Sequence, residues 1–335
     1  MSAALLFIGG QQADAASWRI NSDATKKAHF LDINAAMASS EVAEGDTLYL
    51  DPGCNLTATQ NVTKQVTIVG CGYFLDSNML KQATIGNNLY LKASGIKMEG
   101  LEVTGTTYIA GGSNITMERC KLRSVFYNSS PAQYLTLRQC YIVGQVKGDG
   151  SSSTTTNGWT VENCIIFYSS YYDPICQLLS PVIRNNYICS SYSSAGSATI
   201  ANFNNAIVVN NILINTKYMT GGGPYQCANS LITNNVTNDA ATLTNWPNNV
   251  TIPTNTEASV FALEGTNDQR YRLKEDSPAK GAATDGGDCG PYSGLYPYVP
   301  SGYPLGMPRF ESSSIPVRPQ DGQVRMTQKV VLQGE

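Results

Sequence analysis

Hydrophobic and polar positions recur along this chain in one short unit. Ile115-Thr-Met-Glu-Arg-Cys120-Lys-Leu122 is followed by Leu135-Thr-Leu-Arg-Gln-Cys140-Tyr-Ile142 and by Trp159-Thr-Val-Glu-Asn-Cys164-Ile-Ile166. With the cysteine as position zero, the frame also fits Ile183 to Ile188, Val208 to Leu213 and Ile232 to Asn235. Upstream it fits Val66 to Cys71 and Ile96 to Val103. Position zero then falls at residues 71, 101, 120, 140, 164, 186, 211 and 235. Position −3 is always apolar: Ile68, Met98, Met117, Leu137, Val161, Ile183, Val208 and Ile232. Position +2 reads Tyr73, Val103, Leu122, Ile142, Ile166, Ile188, Leu213 and Thr237. These are two inward strand positions, separated by a column at −1 that is Gly70, Gly100, Arg119, Gln139, Asn163, Asn185, Asn210 and Asn234. Gly and Asn enter the left-handed backbone region at little cost, so −1 is read as a one-residue corner between two strands. Period 2 on both sides of one corner does not describe a hairpin. Each unit must stack in register and parallel on its copy in the next coil, and parallel crossovers are right-handed. The expectation is an all-β, single-stranded right-handed parallel β-helix of about eight coils. A short capping helix near Ala24–Ser39, with Phe30, Ile33 and Met37 on one face, precedes it. An irregular C-terminal segment follows.

Position zero changes identity along the stack. Cys71, Leu101, Cys120, Cys140 and Cys164 give way to Asn186, Asn211 and Asn235. The column faces inward, so the amides are expected to pair as a ladder. A net hydrogen bond contributes about 1 kcal/mol, whereas an unpaired buried amide costs about 1–3 kcal/mol. The thiols are expected to be buried and unbridged, although adjacent coils lie within disulfide reach. Position −2 points outward and carries Glu99, Glu118, Arg138, Glu162 and Arg184. The alternation places opposite charges on consecutive coils, which is the order of an ion-pair ladder rather than of a catalytic row.

Composition narrows the function classes. Charged residues are 14%, against about a quarter in ordinary globular chains, and net charge is −3 with no basic run. No electrostatic footprint for nucleic acid exists, and no apolar stretch is long enough for a transmembrane helix. The nine cysteines form no CxxC or Cys/His cluster, and His29 is the single histidine, so no metal site is expected. Residues 1–15 read as the remnant of an export signal. Ala3 to Ile8 form a short apolar core, and Ala13-Asp-Ala15 fits a cleavage site. The expected location is secreted or cell envelope.

The strand after the corner is apolar on both faces. Tyr141, Val143, Ile165, Phe167, Tyr187, Cys189, Ile212 and Ile214 occupy its outward positions. Such a strand needs a cover. The Tyr- and Pro-rich stretch Pro291–Pro300 is one candidate, and a second subunit, making an oligomer through this face, is the other. The expected division is 1–15 signal remnant, 16–260 β-helix with its cap, 261–310 a C-terminal segment packed on the helix, and 311–335 a linker or the start of a further module. Gln323–Leu332 reads as a lone strand in that last part.

The repeats resemble the pectate-lyase-like superfamily of right-handed β-helices, and more narrowly β-helix surface proteins exported by Bacteroidetes. The resemblance rests on the repeats together with Ala43-Glu-Gly-Asp46-Thr-Leu-Tyr-Leu-Asp-Pro-Gly53, Lys64-Gln-Val-Thr-Ile-Val-Gly70, and Tyr271 to Gly281 leading to Asp288-Cys-Gly290. It covers roughly residues 18–310. It implies the fold, which hosts lyases, hydrolases and non-enzymatic proteins alike.

Chemistry is left to the loops. No Asp-Asp or Gly-His-Gly motif of the hydrolases on this fold occurs. A lyase reading would need carboxylates for Ca²⁺ and a basic residue. Asp149, Asp173 and Lys217, with Lys147, are the loop residues able to converge, although Gly148-Asp-Gly150 and Asp173-Pro174 also read as turns. Tyrosine is abundant, at 19 residues, and Tyr171, Tyr172, Tyr192, Tyr218 and Tyr225 fall in loops of the middle and late coils. Flat rings with a polar tip suit sugar faces, and they also suit packing along a covered flank. The reading is an exported, non-catalytic surface protein contacting a polysaccharide or other glycan. The alternative is a polysaccharide lyase or glycoside hydrolase acting on an acidic polysaccharide. No cofactor is expected, save Ca²⁺ for a lyase.

Overall fold

The computed structural model describes residues 15–75, 81–170, 172–192, 198–217, 223–254, 256–265 and 267–302, and the backbone of 308–314 and 327–332. The expected export segment falls outside these residues apart from Ala15.

The chain is a right-handed parallel β-helix with three strands per coil. The first sheet holds ten parallel strands: Ser17–Ile20, Thr47–Leu50, Thr67–Val69, Lys97–Glu99, Thr116–Glu118, Thr136–Arg138, Thr160–Glu162, Val182–Arg184, Ile207–Val209 and Leu231–Thr233. Its register runs Leu48, Ile68, Met98, Met117, Leu137, Val161, Ile183, Val208 and Ile232, which is the −3 column carried one rung further back. Two rungs, Ser17–Ile20 and Thr47–Leu50, therefore extend the stack beyond the repeat frame. The second sheet follows the corner, with inward Ile85, Val103, Leu122, Ile142, Ile166, Ile188, Leu213 and Thr237 in register. A third sheet completes each coil through Gln60–Val62, Leu89–Leu91, residues 107–109, residues 125–126, Val146–Lys147, Ile175–Leu179, Ile200–Asn204 and Pro224–Ala228. The inward columns fuse into one continuous core.

Left-handed residues mark the corners. At −1, Gly100, Arg119, Gln139, Asn163, Asn185, Asn210 and Asn234 all have φ between 48° and 64°. Only Gly70 in that column does not. A second left-handed column, five residues earlier, turns the third strand into the first: Gly95, Asn114, Tyr134, Gly158, Ser180, Asn205 and Asn229. Tyr134 lies flat over Gly158, where a Cβ would sit 2.8 Å from the ring.

Three details differ from the sequence reading. Tyr73 is not an inward strand residue. The register partner of Val103 is Ile85, so the chain between Cys71 and Ala83 is an excursion from the corner, which accounts for the long first spacing. The capping helix is Ile33–Ala38 alone, because the Asp32 side chain caps it at Ala35 N and Phe30 has already bridged to Ile20. The strand at Thr327–Leu332 is not lone; it pairs antiparallel with Pro308–Ser314.

The outward face of the second sheet is covered by the chain itself. Val260, Phe261, Tyr271, Ala279, Cys289 and Tyr298 pack with Ile165, Tyr187, Ile212, Ile214 and Val236 in a second apolar cluster. The covering segment is gripped by the corner column. Asn234 Nδ2 donates to Ala282 O, and Asn210 Nδ2 to Thr284 Oγ1. Asn163 Nδ2 donates to Pro291 O and Ser293 O, and Gln139 Nε2 to Pro297 O. Residues 282–302 thus climb back along the helix from its late coils to its early ones. The amides at −1 serve the backbone turn and this strap together.

Candidate functional site

Two faces carry outward chemistry, the first sheet and the third. On the first sheet the −2 column is an ion-pair ladder. Arg138 contacts Glu118 and Glu162, each at 2.6 Å, Arg184 contacts Glu162 at 2.6 Å, and Arg119 contacts Glu99 at 2.6 Å. Tyr296 of the strap lies over the Arg138 guanidinium at 3.9 Å. Every carboxylate of the column is therefore engaged. Glu162, with only 1% of its side chain exposed, bridges two arginines. A cleft of about 240 Å³ opens beside the ladder between Glu162, Arg184, Asp285, Asp288 and Leu295.

The third sheet has a different outer face. Its outward column runs Asn61, Tyr90, Tyr108, Phe126, Lys147, Cys176, Ala201 and Tyr225. The rings of Tyr90 and Tyr108 stack at 4.8 Å with an 18° interplanar angle, so they present their edges, not their faces, to solvent. Farther along, Lys147 Nζ lies 6.0 Å from the ring of Tyr172, which is 61% exposed. Tyr225 is 50% exposed, two rungs beyond Cys176 and so about 10 Å along the axis. This face is bordered by the long connections that enter the third strands, where Asp173 and Lys217 lie, and by the connection that leaves Lys147, where Asp149 lies.

The sequence-derived residues divide accordingly. Asp149 accepts bonds from Ser153 Oγ at 2.7 Å and Thr155 Oγ1 at 2.8 Å, holding its own turn. Asp173 accepts from Ala198 N at 3.1 Å, and burial raises its pKa above the ordinary carboxylate value. Burial likewise pushes the Cys176 thiol up to about 12; Asp173 adds to this and Lys147 opposes it, which places both charges near the sulfur. Lys217 is exposed, with its backbone N bonded to Asn215 Oδ1. Tyr172 and Tyr225 share the third-sheet face, and Tyr192 is half-buried. Tyr171 and Tyr218 lie outside the described residues. Among the described residues no group of three or more His, Cys, Asp or Glu side chains could hold a metal ion. Asp149 holds its own turn and Asp173 ties its connection to Ala198 in the next coil, so the two are not brought together as a Ca²⁺ cage. No described helix is long and apolar enough to cross a membrane.

Sequence reasoning missed one feature of this face. Gln177, Asn202 and Gln226 occupy the same place in three consecutive rungs, each as a left-handed corner with φ of 61°, 58° and 52°. Glutamine is not a turn residue, and nothing in its pattern announced the corner.

No protein-family model and no curated protein matches the chain. Among solved structures it is similar to pectate lyase Pel9A, at 15% identity over 84% of this chain and 98% of that one, with a TM-score of 0.47. It is also similar to pectate lyase C from Erwinia chrysanthemi, at 12% identity over 81% of this chain and 89% of that one, with a TM-score of 0.38. No residue role is carried over from either.

Proposed function

We propose that the protein is an exported, non-catalytic β-helix of the cell surface or surroundings that holds a glycan along the outer face of its third sheet. The observation that carries this reading is the pair of exposed rings, Tyr172 and Tyr225, on one face with Lys147 beside the first. Tyr73, Tyr187, Tyr271 and Tyr298, by contrast, are at most 7% exposed, and Tyr134, at 52%, lies over Gly158 at the corner between the third and first strands. Exposed rings suit sugar faces, and a neighbouring ammonium suits the carboxylate of an acidic sugar; on the rungs between them Cys176 and Ala201 are buried. The first-sheet carboxylates are committed to arginines, which supports a binding role over acid–base chemistry there.

Affinity electrophoresis in gels containing polygalacturonate, alginate or glucomannan tests the reading. Retardation by at least one of them is expected, with Tyr172→Ala and Tyr225→Ala each weakening it about tenfold. Wild-type mobility unchanged in every gel would overturn the reading.

A second reading, cleavage of an acidic polysaccharide, is favoured by one observation: the Asp173 carboxyl, its pKa raised by burial, and Lys147 both act on the Cys176 thiol on the same face. Its measure is ultraviolet absorbance of unsaturated products from polygalacturonate, with and without added Ca²⁺. Turnover lost in Asp173→Asn would replace the binding reading with an enzymatic one.

A further inference from the structure

Gln177, Asn202 and Gln226 form a third left-handed column. The register keeps step across it: Cys176 pairs with Ala201 and Leu178 with Phe203, then Ala201 with Tyr225 and Phe203 with Cys227. Each is therefore a one-residue corner like those at −1. Ile175 and Leu178, like Ile200 and Phe203, face the core on either side of it, and the corner residue is left at the surface.

The amides of this column behave unlike those of the core. In the core, Asn186, Asn211, Asn235 and Asn249 link to one another at 2.9 Å, rung to rung. Gln177, Asn202 and Gln226 have the same chemistry and the same rung spacing, yet no amide-to-amide bond joins them. Gln226 Nε2 donates instead to the Tyr225 hydroxyl at 3.3 Å. All three are at least partly exposed. An amide offers two donors and an acceptor, the set that reads a sugar hydroxyl pair. An extended glycan advances by about one coil spacing per sugar, so consecutive rungs meet consecutive sugars.

We infer that Gln177, Asn202 and Gln226 form three successive sugar-hydroxyl subsites on the third sheet, running along the helix axis between Tyr172 and Tyr225. This rests on the glycan-binding reading above and assigns its specificity to these corner amides, with the rings as sequence-tolerant platforms.

Glycine separates this from a purely structural corner, because it keeps the left-handed backbone and deletes only the amide. Single Gln177→Gly, Asn202→Gly and Gln226→Gly variants and the triple variant are titrated against whichever of polygalacturonate, alginate and glucomannan retards the wild type. Each single change is expected to weaken binding about fivefold, the effect of one hydrogen bond. The thermal midpoint should rise by about 2 °C as strain is relieved. Wild-type affinity in the triple variant, with Tyr172→Ala still impaired, would overturn the subsites and leave the binding reading standing. Absence of wild-type binding to all three glycans would overturn both.

Discussion

At the scale of single residues, the inward column at position zero shows how one site solves two chemical problems. In the late coils it holds amides, each saturated. Asn211 Nδ2 donates to Ile183 O, Val209 O and Asn235 Oδ1, while its Oδ1 accepts from the N and Nδ2 of Asn186. The ladder ends at Asn249, one rung past the recognisable repeat. Replacing Asn211 by Leu fills the same space but leaves two buried donors of Asn186 unpaired. The expected loss is about 3 kcal/mol in urea unfolding. Cys140→Ala, which deletes a small apolar group, should cost about 1 kcal/mol. Equal losses would mean that the column is simple packing. The thiols Cys120 and Cys140 are fully buried, and burial raises their pKa values well above the ordinary thiol. All nine cysteines are unbridged, and Cys71 alone is not buried. Brief iodoacetamide treatment of the native protein near pH 8 should therefore label Cys71 first by peptide mass mapping. Rapid labelling of Cys140 would show that the coils open locally.

At the scale of elements, the first sheet couples its rungs through charge. Glu162 is the keystone because it is buried and shared by Arg138 and Arg184. Glu162→Gln should cost about 3 kcal/mol, since it leaves two guanidinium groups around a neutral buried amide. Arg184→Gln, at a position 44% exposed, should cost under about 1 kcal/mol. The comparison is made by urea unfolding, and similar losses from the two changes would refute the keystone role. The ladder could be read from the order Glu118, Arg138, Glu162, Arg184, because outward positions of stacked strands are neighbours. The corner at −1 was legible for a similar reason: Gly and Asn announce a left-handed backbone. Tyr134 and Ser180 at the second corner, and Gln177 and Gln226 at the third, do not. There the left-handed conformation is imposed by the coil closing on its neighbours, and no local preference records it. The exposed Tyr172 and Tyr225 were legible as residue types, but their shared face depends on a third strand whose apolar positions are too few to show a period.

At the scale of the whole molecule, the strap decides whether the second sheet is a core or a surface. It is fastened at the early coils by a buried chain. Tyr73 and Tyr298 share a hydroxyl–hydroxyl bond of 2.6 Å, Tyr298 donates to Asp268 Oδ2 at 3.0 Å, and Ser301 N donates to the same oxygen at 2.6 Å. Burial is the largest influence on Asp268 and raises its pKa; the bonds from Ser301 and Tyr298 oppose it without cancelling it. A carboxyl whose folded pKa is raised favours the folded state in its protonated form. Its stabilising contribution is complete below the ordinary aspartate value of about 3.9 and is lost as pH rises through the folded value. The strap should therefore loosen as pH climbs out of the acid range, before any global unfolding. Asp268→Asn keeps an acceptor oxygen for Ser301 and Tyr298 and removes the titration. In hydrogen exchange across the acid-to-neutral range, corrected for intrinsic rates, wild-type protection of residues 267–302 should fall with pH while Asp268→Asn stays level. The core strand Thr160–Glu162 should stay protected in both. Parallel profiles for the two proteins would show that the buried carboxyl does not govern the strap, and would leave the corner amides Gln139, Asn163, Asn210 and Asn234 as its fastening.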